Sequence, residues 1–372
     1  MKLIVSKDEL QEKLSNIQNI VEKRNTMPIL SHFLLEAGKN GSFITATDLE
    51  TALREPLALK VEKEGKICIP ARKMFEIARE VDGDLSLESI DEQWLRIKTG
   101  PSNFRLACLS SKEFPAWPGM EDMEEISLEA KTLAGLIEKT VFAAGDSDTR
   151  YTLNGLLFHI TTDNRLSMVG TDGHRLAAMA KPIEVPSGAQ GKLSEEKKMI
   201  VPKKAAAELR KILEKREGSV RMVLSKNHVL FSIGDIQFLT RLIEGTYPNY
   251  EQVIPAANEK RIVIERGAFA KALRRVSIMA KDKTNAVKMD LGDNKLMVTT
   301  SNPDMGEATD EIAIEYAGEK TALGLNARYL LDIIEVMASD RVIMEFQGAL
   351  NPVLIKDEQD AEYRCVIMPM RI

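Results

Sequence analysis

Hydrophobic positions recur in the same order three times along the chain, at intervals of about 124 residues, which indicates an internal repeat. Each third begins with a short apolar strand, and a helix with spaced apolar residues follows it. Because the spacing places the apolar residues on one side of a helix, each helix is expected to bury one face. The aligned positions are Val5, Leu10, Leu14 and Val21, then Leu128, Leu133, Ile137 and Ala144, then Ile264, Phe269, Leu273 and Ala280.

A β-hairpin is predicted next in each third. Gly, Asn and Asp residues separate two runs of strand-forming residues, which is the pattern of a hairpin turn. The three turn segments are residues 38–41, 162–164 and 292–294. The second strand of each hairpin then runs into a short polar segment, which is Thr47-Asp48, Thr171-Asp172 or Ser301-Asn302.

A second helix is predicted in the same register of each third. The three predicted helices are Met74–Glu80, Ala205–Leu213 and Tyr329–Met337. More strands close each third, so the pattern predicts an α+β fold made of three tandem repeats. The expected repeats are residues 1–122, 123–252 and 253–372.

Composition excludes several other classes of protein. Hydrophobic residues make up 44% and charged residues 29% of the chain, as in ordinary globular proteins. No apolar run approaches the roughly 18 residues that a membrane span needs, and the first residues lack the pattern of a signal peptide. The three cysteines are far apart and form no C-x-x-C pair. We therefore expect a cytoplasmic protein with reduced thiols, no structural zinc and no membrane contact.

Basic charge is concentrated in a few predicted helices of an otherwise acidic chain. The formal net charge is −5, yet residues 197–216 carry a net charge of +6 and residues 265–283 a net charge of +4. A lysine-rich helix can be merely a solvated face, so this distribution alone leaves nucleic-acid binding open.

Geometry limits what six helices can enclose. Helices about 10 Å across, set side by side in a circle, leave a hole of about 9 Å for six helices and about 28 Å for twelve. The groove depths of B-DNA make the duplex at least about 16 Å across. A ring of such helices around duplex DNA therefore needs two chains.

Several segments together resemble the bacterial DNA polymerase III beta subunit family, the replicative sliding clamps, over essentially the whole chain. Each segment alone is moderately specific, but six in this order and at this spacing are highly specific. The segments are Thr26–Leu30, Thr47–Glu50, Ile69–Lys73, Tyr151–Gly155, Thr171–Ala177 and Val366–Ile372. The resemblance implies a head-to-tail homodimer that closes into a ring, with twelve helices lining the hole and antiparallel sheets outside.

The same resemblance implies which residues face duplex DNA. Attraction of phosphates by Lys and Arg is independent of sequence, which suits a protein that slides. The implied DNA-binding residues are Arg24, Arg72, Ser147, Arg150, Tyr151 and Thr152. Helix phase decides whether others contribute, and these weaker candidates are Lys203, Lys204, Arg210, Arg274 and Arg275.

A partner-binding pocket between the second and third repeats is also implied by the resemblance. Its expected ligands are short peptides of the replicative polymerase catalytic subunit, the clamp loader and other replication and repair proteins, which place apolar side chains in a groove. Methionines suit a pocket shared by many partners because they repack readily. The implied lining is Leu153, Thr171, Gly173, His174, Arg175, Leu176, Pro248, Val253, Val366, Met368, Pro369 and Met370.

The resemblance further implies a contact between subunits. Ile77 and Val81 are four residues apart, so they share a face of their helix. The implied contact residues are Lys73, Ile77, Val81 and Phe104 of one chain and Ile278 and Met279 of the other. At the seam between subunits, Asn103 stands near where an arginine is common in relatives. The sequence also departs from some relatives at Thr152 in the DNA loop and at Gln252 on the pocket rim.

No catalytic motif supports an enzyme, and the chain is expected to need no cofactor or metal of its own. Signatures of hydrolases, zinc proteases, P-loops and dinucleotide-binding folds are absent from the sequence. Two alternatives to a sliding clamp stay open at this point. One is an enzyme acting through Asp172 and His174, which could share one face of an extended segment. The other is a DNA-binding protein with base-dependent affinity.

Overall fold

The computed structural model describes residues 1–21, 27–120, 124–185, 195–280 and 284–371. Within these residues it has six α-helices, two from each third of the chain, as predicted. The last helix ends two residues earlier than expected, at Glu335. The helices are α1 (Lys7–Ile17), α2 (Ala71–Glu80), α3 (Ala130–Val141), α4 (Lys203–Leu213), α5 (Arg266–Val276) and α6 (Ala327–Glu335). Short 3-10 helices are formed by Pro28–Ser31, Ser111–Glu113 and Tyr151–Asn154.

The described strands are mostly short and all pair in antiparallel fashion. Those before residue 124 are β1 (Lys2–Val5), β2 (His32–Gly38), β3 (Gly41–Thr47), β4 (Thr51–Pro56), β5 (Leu59–Lys63), β6 (Gly65–Pro70), β7 (Leu85–Ser89), β8 (Trp94–Thr99) and β9 (Ser102–Ala107). The next are β10 (Glu124–Glu129), β11 (Gly155–Thr161), β12 (Arg165–Thr171), β13 (Arg175–Pro182), β14 (Lys197–Pro202), β15 (Ser219–Leu224), β16 (His228–Ile233) and β17 (Ile236–Arg241). The last are β18 (Lys260–Glu265), β19 (Ala286–Gly292), β20 (Lys295–Asn302), β21 (Gly306–Ala313), β22 (Thr321–Asn326), β23 (Arg341–Phe346), β24 (Val353–Asp357) and β25 (Arg364–Ile367).

Polar residues start several of these helices. The Ser6 hydroxyl accepts a hydrogen bond from the amide of Glu9 at the start of α1. The Glu265 carboxylate accepts from two amides of α5, and the Asn326 side chain accepts from the amide of Tyr329 in α6. Such caps satisfy amides that have no partner within the helix. The helices then bury the face that the apolar spacing predicted.

The chain divides into two compact units. Unit 1 contains the described residues of Met1–Lys131, Glu184–Pro186 and Glu208–Leu242, and unit 2 contains those of Thr132–Ile183, Ser187–Ala207 and Ile243–Ile372. None of the helices in the described residues is long and apolar enough to cross a membrane.

Unit 1 contains two sheets. The five-stranded sheet has the order β5-β1-β7-β8-β9, and the eight-stranded sheet has the order β10-β15-β16-β17-β4-β3-β2-β6. In the larger sheet β17, from the second third of the chain, pairs with β4, from the first. Ala52 lies opposite Leu239, and Leu53 lies opposite Phe238.

Unit 2 repeats this arrangement with later parts of the chain. Its eight-stranded sheet has the order β14-β11-β12-β13-β25-β24-β23-β18, and its four-stranded sheet has the order β21-β20-β19-β22. Here β25, from the last third, pairs with β13, from the second. Leu176 lies opposite Val366, and Arg175 lies opposite Ile367.

Candidate functional site

The turn between β12 and β13 is fixed by hydrogen bonds of its own side chains. The Thr171 hydroxyl donates to the carbonyl of Arg175 (2.6 Å) and accepts from the amide of Gly173 (3.1 Å). The Asp172 carboxylate accepts from the amides of His174 (2.9 Å) and Arg175 (3.0 Å). Gly173 has φ +86°, a left-handed conformation that favours glycine. Thr171 and Asp172 thus fix the hydrogen bonds of this turn, and Gly173 takes its left-handed position without strain.

Arg175 ties the turn to the rest of unit 2. Its side chain is only 10% exposed, and it donates to Asp172 (3.1 Å), Asp332 in α6 (2.5 Å) and the carbonyl of Phe142 (2.6 Å). The guanidinium also lies 4.3 Å from the ring centroid of Tyr329. Its two half-buried carboxylate partners compensate the burial of this charge, so removing the arginine would take a charged donor from both of them.

Arg150 crosses the same turn from the other side. It donates to both carboxylate oxygens of Asp148 (3.0 and 2.7 Å) and to the carbonyl of Asp172 (2.9 Å). The hydrogen bonds from Arg150 lower the pKa of the Asp148 carboxyl to about 2. A Cβ atom at Gly173 would lie 2.7 Å from a guanidinium nitrogen of Arg150. The absence of a side chain at Gly173 therefore lets the arginine pack against the turn.

These elements enclose a cavity of about 380 Å³, which we call the unit 2 cavity. Its floor is the hydrophobic cluster under β12, β13 and β25, which contains the paired residues Leu176 and Val366. Tyr247 belongs to this floor, and its hydroxyl donates to the carbonyl of Val169 (3.3 Å). The lining residues are Arg150, Leu153, Thr171, Gly173, His174, Arg175, Leu176, Pro248, Tyr250, Gln252, Val253, Pro352, Val366 and Met368.

The structure brings ten of the twelve predicted pocket residues together in this cavity. Pro369 and Met370 are the two that do not line it, because the chain turns away after Met368 and the amide of Met370 donates to the carbonyl of Gly324. Arg150, predicted for DNA contact, is part of the lining. The prediction named Gln252 only as a departure at the pocket rim, and it omitted Tyr250 and Pro352.

The sequence could have indicated one of these residues, Tyr250, but not the other, Pro352. Tyr250 lies between Pro248 and Val253, which were both predicted, so its place in the sequence could have indicated it. Pro352 comes into contact only because β24 pairs beside β25, which no local pattern indicates.

Tyr250 is held by a buried histidine. Its hydroxyl lies 3.1 Å from Nδ1 of His159, and Nε2 of His159 lies 3.2 Å from the Glu196 carboxylate. Burial raises the pKa of the Tyr250 hydroxyl, so it stays a neutral hydrogen-bonding group. This contact fixes the wall of the cavity that Tyr250 forms.

The carboxylate of Asp172 is occupied by structural contacts. One oxygen accepts from two backbone amides, and the other accepts from Arg175. The described residues contain no group of three or more His, Cys, Asp and Glu that could hold a metal ion. In the arrangement of this turn, Asp172 builds a binding surface rather than a reactive pair with His174.

Models of three consecutive domains match nearly the whole chain. The DNA polymerase III beta subunit N-terminal domain matches residues 1–118, the central domain matches residues 127–249, and the C-terminal domain matches residues 251–371. The chain belongs to the DNA polymerase III beta subunit family. The predicted family and fold of three tandem clamp domains are confirmed.

Individual relatives of the family agree over their full length. The chain is 34% identical to the beta sliding clamp of Pseudomonas putida and 35% identical to that of Caulobacter vibrioides, each covering 100% of both chains. The sliding clamp (DNA polymerase III subunit beta) of Bartonella birtlesii, solved bound to griselimycin, has a TM-score of 0.93 and 36% identity with full coverage of both chains. These relatives confirm the predicted function of a DNA polymerase III sliding-clamp subunit.

Membership of the beta subunit family also decides against the enzyme alternative. The family is a non-catalytic processivity factor, so the prediction that the chain is not an enzyme is confirmed. DNA and a polymerase are the partners that the family implies.

The implied DNA-binding residues of the beta subunit family lie in both units. Arg24 falls outside the described residues. Arg72 begins α2 with its side chain 82% exposed and pairs with Glu76 (3.1 Å). Ser147 and Tyr151 are exposed next to the unit 2 cavity, and Thr152 is half-buried.

The weaker basic candidates are mostly engaged with acidic neighbours. Lys203 is turned inward, where it donates to the carbonyl of Ala144 (2.8 Å) and pairs with Asp146. Arg274 pairs with Glu335 in α6, and Arg275 pairs with Asp310 in β21. Lys204 is exposed, and Arg210 is half-buried beside Glu214. Surface pairs of this kind exchange readily with other anions.

The implied subunit-contact residues differ in exposure. Ile278 is 57% exposed just after α5, with Met279 half-buried beside it. In unit 1, Lys73 is exposed, and Ile77 and Phe104 are half-buried. Val81 is 7% exposed, because it follows the last turn of α2 and packs into unit 1. Ile77 and Phe104 therefore offer more apolar surface to a partner than Val81.

Proposed function

We propose that two copies of this chain close head to tail into a ring around duplex DNA and slide along it without reading sequence. Family membership and the two helices in each third of the chain support the proposal. The repeats proposed are residues 1–122, 123–252 and 253–372. The proposed site of action is the cytoplasm.

Two free sheet edges support the head-to-tail contact. Strand β9 ends the five-stranded sheet of unit 1, and β21 ends the four-stranded sheet of unit 2, each with one strand partner among the described residues. Exposed strand edges are templates for pairing with another chain. Phe104 lies in β9, and the exposed Ile278 follows α5, which packs against β21. We propose that Lys73, Ile77, Val81 and Phe104 of one copy meet Ile278 and Met279 of the other.

Sedimentation of two single variants tests this contact. Ile278→Lys should shift the mass from two chains to one, because it places a charge in an apolar contact. Ile90→Lys changes an isoleucine of similar exposure (45%) that belongs to no proposed contact, and it should leave the mass unchanged. A dimer that persists in Ile278→Lys contradicts the proposed seam.

The unit 2 cavity is proposed to hold apolar side chains of partner peptides. The observation that carries this proposal is a preformed cavity with an apolar floor, lined by ten of the residues that the family resemblance implies. The partners proposed are the replicative polymerase catalytic subunit, the clamp loader and other replication and repair proteins. Pro369 and Met370 would act only by directing the chain end beside Met368.

A matched pair of methionine variants tests the peptide site. Met368 is 40% exposed in the cavity, and Met305 is 48% exposed in the turn between β20 and β21. Met368→Ala should weaken binding of a fluorescein-labelled peptide rich in Leu and Phe by about tenfold, as at other interface anchors. Met305→Ala should leave the affinity unchanged. Equal affinities in the two variants would refute the assignment.

Contact with DNA is proposed through Arg24, Arg72, Ser147, Arg150, Tyr151 and Thr152. Neutralising Arg24 and Arg72 together should flatten the salt dependence of DNA binding, by about 0.9 in the logarithmic slope for each phosphate that the variant no longer neutralises. Arg79→Ala is the control, because Arg79 lies on the same helix as Arg72 and is also largely exposed (60%). Unchanged affinity of the double variant at low salt would contradict these contacts.

A further inference from the structure

Unit 1 contains a cavity of about 530 Å³, which we call the unit 1 cavity. It lies over strands of the eight-stranded sheet and beside the segment Phe114–Pro118. Leu34 and Phe114 pack against the buried cluster of Ile29, Leu30 and Cys68 beneath it. Leu49, at 49% exposure, and the half-buried Trp117 form open apolar walls.

The chain builds this cavity by the same path that builds the unit 2 cavity. The Thr47 hydroxyl donates to the carbonyl of Thr51 (2.9 Å) and accepts from the amide of Leu49 (3.0 Å). The Asp48 carboxylate accepts from the amides of Glu50 (3.1 Å) and Thr51 (2.7 Å). These are the hydrogen bonds of the Thr171–Arg175 turn, residue by residue.

Strand register extends the equivalence to the lining. Ala52 lies opposite Leu239 where β4 meets β17, as Leu176 lies opposite Val366 where β13 meets β25. Trp117 follows Phe114-Pro115 at the spacing at which Tyr250 follows Tyr247-Pro248. Each cavity therefore has a turn, a sheet face and an aromatic residue of the following segment as its three walls.

The rim of the unit 1 cavity carries more positive than negative charge. Arg54 and Lys66 share one carboxylate, that of Glu36, with Arg54 at 3.7 Å and Lys66 in direct contact. The Arg54 guanidinium also lies 3.9 Å from the ring centroid of Phe43, which holds it in place. A second carboxylate brought by a ligand would complete the pairing of two cations with two anions.

We propose that the unit 1 cavity is a second peptide site, and that it takes a partner segment with a large apolar side chain next to an acidic residue. The apolar side chain would lie between Leu49 and Trp117, over the Leu34 floor. The acidic residue would pair with Arg54 and Lys66. This assignment goes beyond the peptide site proposed in unit 2, and its walls belong to unit 1 alone.

Trp117 supplies a direct measurement. The chain has two tryptophans, Trp94 and Trp117, so a full-length Trp94→Phe variant reports on the cavity alone. The probe is the synthetic peptide Gly-Glu-Glu-Leu-Phe-Gly, blocked at both ends, titrated to about 1 mM. We expect a saturable change in Trp117 emission. The peptide with two lysines in place of the two glutamates should bind about three- to tenfold more weakly.

Charge variants test the rim. In the Trp94→Phe background, Arg54→Gln with Lys66→Gln should remove the preference for the acidic peptide and leave the lysine peptide at its original affinity or better. Arg96→Gln with Lys98→Gln is the control, because Arg96 is likewise paired across strands with a glutamate, Glu88 (3.2 Å), in the other sheet of unit 1. The thermal midpoint of each variant checks that it is folded.

Each other outcome overturns the proposal. Emission that does not respond to either peptide shows that the cavity binds neither. A response without charge preference shows that the rim does not select acidic segments. The change in Trp117 emission could also disappear in Gly173→Leu and persist in the Arg54 and Lys66 variants. In that case it originates in the unit 2 cavity. Weaker labelled-peptide binding in Met368→Ala is independent of all these results, so the two sites can fail separately.

Discussion

Unit 1 and unit 2 contain the same turn, but the two turns differ in sequence at their third, fourth and fifth positions, of which the third and the fifth concern the cavities most. Thr47-Asp48 and Thr171-Asp172 make the same set of hydrogen bonds, and the third residue is left-handed in both, with φ +74° at Leu49 and +86° at Gly173. The Thr-Asp pair therefore sets the backbone. The third position decides what can lie over the turn. In unit 2, Arg150 packs against Gly173. In unit 1, the side chain of Leu49 occupies the corresponding position over the turn.

The fifth position decides how firmly each turn is attached. Arg175 reaches Asp332, Phe142 and Tyr329 from a buried position, whereas Thr51 bonds through its backbone within its own turn. The unit 2 cavity is thus braced by side chains from distant parts of the chain. The unit 1 cavity depends on its sheet and on the segment Phe114–Pro118.

The largest effect is expected when this brace is removed. Arg175→Ala should lower the stability of unit 2 by about 3–5 kcal/mol, because it leaves the Asp172 and Asp332 carboxylates without their buried partner. Thr51→Ala, at the equivalent position, should cost less than about 1 kcal/mol. Hydrogen exchange of β13 and β4 measures both. Similar decreases of protection in the two strands would show that the turns are attached alike.

An exchange of the third residues should have an intermediate effect. Gly173→Leu places a side chain in the left-handed region, which should lower stability by about 1–2 kcal/mol. The new side chain would also push Arg150 aside. The affinity of the unit 2 cavity for the labelled peptide should therefore fall at least about tenfold. Leu49→Gly relieves similar strain but removes apolar packing, and its thermal midpoint should hardly change. Fluorescence polarisation and thermal unfolding measure the pair. Undiminished peptide affinity in Gly173→Leu would mean that the third position does not control access.

The smallest effect is expected in the reactivity of the native thiols. Burial raises the pKa of Cys68, Cys108 and Cys365 to about 12, so about one thiol in ten thousand is ionised at pH 8. Because the thiolate is the reactive form, alkylation should await local opening at every pH below about 12. Arg175→Ala should accelerate reaction at Cys365, in β25 of unit 2, and leave Cys68 and Cys108 unchanged. Mass spectrometry of the proteolytic fragments of the alkylated protein distinguishes the three cysteines. Fast alkylation of the native chain would contradict their burial.

Local chemistry explains what the sequence could predict. The hairpins, the apolar helix faces and the Thr-Asp-Gly turn depend on neighbours within a few residues, and they lie where the pattern predicted. The role of Arg175 depends on Asp332, which is 157 residues away, and Pro352 lines the cavity only through the pairing of β24 with β25. Arg150 could be recognised as a functional arginine, but its bond to the Asp172 carbonyl follows from tertiary packing alone.

The strands of the middle third are shared between two sheets, and this limits where the protein can be cut into fragments. Strands β10 and β15–β17 complete the eight-stranded sheet of unit 1, whereas β11–β14 complete that of unit 2. A fragment that stops at a repeat boundary would leave a broken sheet with a bare edge, which invites aggregation. Any truncation series or chimaera between relatives should therefore exchange whole sheets rather than whole repeats.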